Sequence, residues 1–120
     1  MNFSAHHRIR TSREFQKILQ HGAKRNCGCF ILKLIKHSKD TPIRESRLGI
    51  IASKKVGNAV KRNRAKRLFR EIFRKNQKSF LYSCDIVIIV FSNFDTYTYD
   101  ELEKRFINAI QLLTQNEKSH

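Results

Sequence analysis

Ten basic side chains fall between Lys54 and Lys75: Lys54, Lys55, Lys61, Arg62, Arg64, Lys66, Arg67, Arg70, Arg74 and Lys75. Glu71 is the one acid among them, so ten minus one, or nine, of the chain's formal +15 is concentrated there. Ammonium and guanidinium groups at this density have one evident use, which is to pair with phosphates or other anions. A merely solvated helix face usually alternates its signs and gains from acid–base pairs one turn apart. This segment has almost no acids to pair with, so its self-repulsion points to a polyanionic ligand that neutralises it.

Other chemistries find few materials. There are ten acidic residues in all, with no carboxylate pair at a useful spacing and no Ser-His-Asp order that a fold would assemble. Cys27, Cys29 and Cys84 are an odd number, and Cys27-x-Cys29 lacks the two-residue gap of a zinc or redox pair, so free buried thiols are expected. His6-His7 lies near the terminus without carboxylates beside it and reads as solvated or close to phosphate. No catalytic residue and no metal ligand is assigned.

The basic run must sit on a fold. With 120 residues, 40% of them hydrophobic and 29% charged, the chain suits one domain able to bury a core rather than a disordered basic tail. That domain covers residues 1–120, with an ordered part over about 8–113 and a polar tail over 114–120. No apolar run approaches the roughly 20 residues of a membrane span. The start lacks a secretory signal, which makes the cytosol the expected compartment.

Thr11-Ser12-Arg13-Glu14 has the form of a capping box and opens a helix over about residues 12–21, with Phe15, Ile18 and Leu19 on one face and Gly22 as a suitable C′ residue. Cys29 to Ile35 reads as a strand with Phe30, Leu32 and Leu34 on its buried side. His37 to Glu45, with the only proline, reads as a hairpin loop leading to a second strand, Arg47 to Ser53. On a helix from about Asn58 to Asn76, Ala65, Leu68, Phe69 and Ile72 share one face. Asn63, Lys66, Arg67, Arg70 and Arg74 fall opposite. Ile86 to Phe91 is an unbroken apolar run suited to a central strand covered on both faces. A second capping box, Thr98 to Glu101, opens a final helix carrying Leu102, Phe106, Ala109, Ile110 and Leu113. The order is helix, strands, helix, strand, helix, with room for a parallel βαβ unit between Arg47 and Phe91. The general rule for such a unit is a right-handed crossover.

The polyanion could be DNA, RNA or a membrane surface. A membrane helix would expose its apolar face, and Leu68, Phe69, Ile72 and Phe73 are needed to cover the sheet, so the membrane comes last. Asn58, Asn63 and the arginines do not decide between the nucleic acids. Gly57 permits close backbone approach, and the helix start that follows offers amide donors to a phosphate.

Across Arg47 to Glu71, RLGIIASKKVGNAVKRNRAKRLFRE, the sequence closely resembles the signature of the protein subunit of bacterial ribonuclease P, including the central Arg62-Asn63-Arg64. The resemblance extends to Arg10, Glu14-Phe15-Gln16 and Gly22, to Asp85 through Ile89, and to the closing helix, and covers about Arg8 to Leu113. It implies an α+β fold: a single-domain α/β sandwich of the ribosomal-protein-domain-2-like type, with a left-handed βαβ crossover against the general rule. It also implies a ribonucleoprotein endoribonuclease in which a catalytic RNA, using Mg²⁺ held mainly by that RNA, removes the 5′ leader of precursor tRNA. Ribonuclease P RNA and precursor tRNA are the partners so implied, with neither membrane nor DNA.

Carried over by position, the resemblance assigns Lys55, Asn58, Lys61, Arg62, Asn63, Arg64, Lys66, Arg67 and Arg70 to the RNA subunit. It assigns Phe15, Leu19, Lys33, Ser53 and Lys54 to the leader. Phe15 matches a family aromatic on which a base can stack, and equally suits the core of the first helix. Leu19 stands where a second aromatic is expected, and Lys33 where some members have tyrosine. Ser92-Asn93-Phe94 lacks the basic residues common after the central strand, and Ala65 is smaller than usual. Two rival classes are a ribosomal or ribosome-assembly protein of the same fold and a helix-turn-helix DNA-binding protein. The latter would need a short all-helical core in place of the Ile86–Phe91 strand.

Overall fold

In a computed structural model that describes residues 8–37, 45–80 and 82–115, the chain forms three helices and one four-stranded sheet. The elements in chain order are α1 (Ser12–His21), β1 (Ala23–Asn26), β2 (Phe30–Lys36), β3 (Arg47–Ile51), α2 (Ala59–Asn76), β4 (Cys84–Val90) and α3 (Tyr99–Gln115). Both capping boxes form. Thr11 Oγ1 accepts from the Glu14 N–H while Glu14 Oε1 accepts from the Thr11 N–H, and Thr98 and Glu101 do the same for α3.

The sheet order is β1-β2-β4-β3, with β2 antiparallel to β4 and β3 parallel to it. α2 is thus the crossover of a parallel βαβ unit. Two sequence readings are corrected by this order. His37 to Glu45 does not close a hairpin, because β4 lies between β2 and β3; residues 38–44 themselves fall outside the described residues. β1 has no counterpart in the sequence reading, since Ala23-Lys24-Arg25-Asn26 is exposed throughout and shows no apolar alternation. β3 ends at Ile51, and Lys54–Val56 turn into a single 3-10 turn. Thr114 is buried and belongs with Gln115 to α3, and the rest of the expected polar tail, 116–120, lies outside the described residues.

Alternation divides the side chains of the sheet between two faces. Phe30, Leu32 and Leu34 of β2, Leu48 of β3 and Ile86, Ile88 and Val90 of β4 meet α2 and α3 in the main core. There the Phe30 and Phe69 rings lie edge to face at 4.9 Å. Residues of the other parity, including Ile35, Ile51, Val87 and Ile89, meet Ile9 and the α1 residues Phe15, Ile18 and Leu19. β4 is therefore covered on both sides, as its unbroken apolar run requires. Gly22 ends α1 with φ −71°, in extended rather than left-handed conformation. Glycine is needed there for space, since a Cβ would sit 2.5 Å from the Ile18 carbonyl oxygen.

Pairing also sets charged groups side by side. Arg47 and Asp85 are register partners on adjacent strands, and both face α1. The Arg47 guanidinium grips both Asp85 oxygens (3.0 and 2.8 Å) and reaches Glu14 Oε2 of α1 at 2.9 Å. His37 Nε2 lies 2.8 Å from Asp85 Oδ1. Burial pushes the Asp85 carboxyl up, but hydrogen bonds from Arg47 and His37 outweigh it and hold the group below the ordinary aspartate range.

Candidate nucleic-acid interface

α2 starts at the turn after β3. Gly57 adopts φ +149°, which L side chains rarely tolerate, and Asn58 caps the helix by accepting from the Lys61 N–H at 2.9 Å. The helix buries Ala65, Phe69, Ile72 and Phe73. That anchoring turns Asn63, Arg64 and Arg67 fully outward, while Lys61, Arg62, Lys66 and Arg70 emerge half-buried along the flanks. Lys54, Lys55 and Asn58 are exposed at its start, beside Val60, which is 70% exposed. All nine residues expected to contact an RNA subunit therefore lie on α2 or the turn that leads into it.

The few acids nearby are already engaged. Glu71 pairs with Arg74 one turn on, and Asp95 lies 3.4 Å from Lys61 Nζ. Burial, followed by the nearby charges of Arg8 and Arg67, pushes the pKa of Arg70 down. Such crowding of like charges is a cost that a bound polyanion removes.

The five residues assigned to a leader are spread over one face and its rim. Phe15 crosses β3, lying so close that a Cβ on Gly49 would be 2.5 Å from the ring. It is half-buried, so its core reading and its ligand reading are both accommodated. Lys33 stands under the other end of α1, where its ammonium donates to the Leu19 carbonyl oxygen and satisfies one of the helix's terminal acceptors. Ser53 and Lys54 are exposed beyond the end of β3. Phe15, however, shares a groove with residues outside that set. Arg8, Lys66 and Arg70 form its rim, and Phe15, Gly49 and Ile50 line it on the sheet side. Arg8 escaped the sequence reading because its place beside β3 depends on a bridge to Leu48, which no local pattern announces.

Ser92-Asn93-Phe94 forms a 3-10 turn with Phe94 buried, and brings no cation to the surface. All three cysteines are free and buried, and burial pushes the Cys27 and Cys84 thiols up to about 11 and about 12. No group of three or more His, Cys, Asp or Glu able to hold a metal occurs among the described residues, and His6-His7 lies outside them. No helix among them is long and apolar enough to cross a membrane.

Comparison with known proteins agrees with this layout. The family model described as Ribonuclease P matches residues 3–114. The ribonuclease P protein component of Syntrophus aciditrophicus is 43% identical over 95 residues, covering 79% of this chain and 76% of the relative. That of Clostridium novyi is 33% identical over 104 residues, covering 87% and 90%. Among solved structures, the RNase P protein of Thermotoga maritima in complex with 1-(4-fluorophenyl)-2-thiourea superposes with a TM-score of 0.73 at 31% identity, covering 86% of this chain and 96% of that one. The RNase P protein of Staphylococcus aureus gives 0.74 at 30% identity, covering 88% and 94%. A family match over nearly the whole length, carried on a basic helix anchored to the same mixed sheet, establishes that this chain belongs to the bacterial ribonuclease P protein family.

Proposed function

We propose that the chain is the protein component of a ribonuclease P holoenzyme, binding the RNA subunit through α2 and the 5′ leader of precursor tRNA on the α1 side of the sheet. The observation that carries this reading is α2 itself. Its outward side presents Asn63, Arg64 and Arg67 on a rigid, core-anchored helix, and its one acid is occupied by Arg74. Guanidinium forks fixed in this way grip backbone phosphates without reading base edges. The leader is the part of the precursor that the mature product lacks, so contacts to it favour substrate over product.

The chemistry is assigned to the RNA, where bound Mg²⁺ supplies activation of water and stabilisation of the leaving oxygen. The chain's own carboxylates suit structural work: Asp85 and Glu14 hold Arg47, Glu71 holds Arg74, and Glu103 accepts from Asn76. Its thiols stay protonated at neutral pH.

The deciding experiment adds the protein to a bacterial ribonuclease P RNA at low Mg²⁺ and follows precursor tRNA cleavage. Rescue of cleavage is expected, and its absence would leave only an RNA-binding protein of the same fold. Within the active holoenzyme, Glu71→Gln and Asp95→Asn should each leave the single-turnover rate at saturating protein nearly intact. A fall of about a thousandfold, the scale of a lost catalytic group, would place chemistry in this chain.

A further inference from the structure

A second concentration of positive charge lies away from α2 and the groove beside it. Between Arg10 and Arg25 stand five basic residues, Arg10, Arg13, Lys17, Lys24 and Arg25, against one acid, Glu14. That is five minus one, or four, of the formal +15, and with the nine around α2 it leaves two for the whole remainder of the chain. Glu14 does not screen its neighbours, because Oε2 is taken by Arg47 and Oε1 by the N–H groups of Arg10 and Thr11. With Phe15, Ile18 and Leu19 turned to the sheet, Arg13, Gln16, Lys17, Gln20 and His21 make up the outward side of α1, and all five are exposed. Lys24 follows on the edge strand β1, exposed and on the α1 side of the sheet, in the register row of Lys33 and Val87. No carboxylate among the described residues pairs with Arg13, Lys17, His21 or Lys24.

The stability of α1 does not account for these residues. Lys17 and His21 suit the C-terminal half of a helix, but Arg13 stands in the first turn, where the macrodipole disfavours a cation. Arg13 and Lys17 are also four residues apart, about 6 Å along the axis, where like charges repel. The outward side carries neither Phe nor Tyr on which an unpaired base could stack. What it offers is cations and amides for phosphate oxygens, the form of recognition that suits double-helical RNA, whose bases are turned inward. We infer that the outward side of α1, continued by Lys24, docks a double-helical segment of the RNA subunit distinct from the one bound by α2. The two helices pack on opposite faces of the sheet, so their outward sides call for two separate segments. The RNA subunit is the occupant, rather than the body of the tRNA, because backbone contacts to that body would hold precursor and product equally and do nothing to separate them. The inference rests on the proposed function and extends it, since the domain is then held by the RNA subunit from both sides of its sheet.

The test measures the affinity of the full chain for a bacterial ribonuclease P RNA across a series of salt concentrations. The parent is compared with the double variant Arg13→Gln/Lys17→Gln and with Lys78→Gln/Lys104→Gln, which removes the same two charges from exposed positions elsewhere. The α1 variant should weaken binding about tenfold and reduce the slope of log affinity against log salt by about 1.4–1.8, two phosphates' worth, while the control stays close to the parent. Arg13→Lys should keep the parent slope. Thermal melts should show the α1 variant at least as stable as the parent, since it removes a repulsive pair and a cation from the first turn. An α1 variant with the parent's slope overturns the inference, as does an equal loss in the control, which would show an effect of net charge alone. Holoenzyme assembled with the α1 variant should keep the parent's affinity for mature tRNA; a loss there with unchanged affinity for the RNA subunit would put tRNA on this face and overturn the assignment. Arg67→Ala, measured alongside, separates the two readings: if it lowers the slope and the α1 variant does not, this inference alone fails, and if neither does, the proposed function fails with it.

Discussion

Replacing Arg47 by methionine removes the cation that ties the N-terminal end of α1 to the sheet while keeping much of its apolar stem. Asp85, whose side chain is 11% exposed, would lose both guanidinium bonds and keep the one to His37. Removing one member of a buried ion pair costs about 3–5 kcal/mol, and the low end applies because His37 still donates. Glu14 is 34% exposed, so the loss of its pairing adds less than about 1 kcal/mol. A domain of this length unfolds with an entropy of about 0.25 kcal/mol/K, so a loss of about 3 kcal/mol lowers the melting temperature by about 12 °C. Thermal melts at neutral pH and fixed salt, followed by circular dichroism, measure this directly. The double variant with Asp85→Leu should recover part of the loss, because no unpaired charge is then buried.

The pH dependence supplies a sign. In the parent the folded-state pKa of Asp85 is lowered, so its contribution is present above the unfolded value of 3.8 and is lost as pH falls through the folded value. Without Arg47 burial dominates and the folded pKa rises. The deficit of the variant should therefore be largest at neutral pH and shrink as the solution is acidified and its Asp85 becomes neutral. A melting temperature within about 3 °C of the parent at pH 7, or a deficit that grows towards acid, would refute the argument that this network ties α1 to the sheet.

Three other outcomes are expected. Arg67→Ala should reduce the slope of log affinity against log salt for the RNA subunit by about 0.7–0.9, whereas Arg74→Ala, whose guanidinium is held by Glu71, should reduce it less; an unchanged slope for Arg67→Ala would remove the outer face of α2 from the interface. Gly49→Ala should destabilise the fold by about 1–3 kcal/mol, because its Cβ would lie 2.5 Å from the Phe15 ring, and full stability would show that the ring does not rest on that peptide. With thiol pKa values of about 11 and about 12, Cys27 and Cys84 should resist a thiol-specific reagent at pH 8 until denaturant is added, and rapid labelling of the native protein would contradict their burial.

Where residues announced their environment locally, the sequence could be read. Thr11 and Glu14, or Thr98 and Glu101, declare a helix start because each pair closes its own hydrogen bonds within three residues. The run Ile86–Val90 declares a strand covered on both faces because no other placement buries both parities. What could not be read depends on partners distant in the chain. β1 is exposed throughout and exists as a strand through its pairing with β2. The position of β4 between β2 and β3 changes which side chains are neighbours without changing any local pattern. Arg8 illustrates the consequence for the site, since it reaches the groove through a bridge across forty residues of chain.

The same dependence explains why Lys33 can stand in a position where the family resemblance leads one to expect an aromatic in some members. Lys24, Lys33, Val87 and Gly49 lie in register across the sheet on the α1 side. A lysine in that row sits beneath the last turn of α1, where unpaired carbonyls and the negative end of the helix dipole favour a cation. Its bond to the Leu19 carbonyl fixes the C-terminal end of α1, as Arg47 fixes the N-terminal end through Glu14. Two cations from the sheet thus hold a ten-residue helix at both ends. Phe15 lies between them, its ring against the Gly49 peptide. A ring held in place loses less entropy when a base stacks on it, which favours binding without any added contact. Lys33 therefore fixes the helix that carries the aromatic, with its own ammonium engaged by the Leu19 carbonyl.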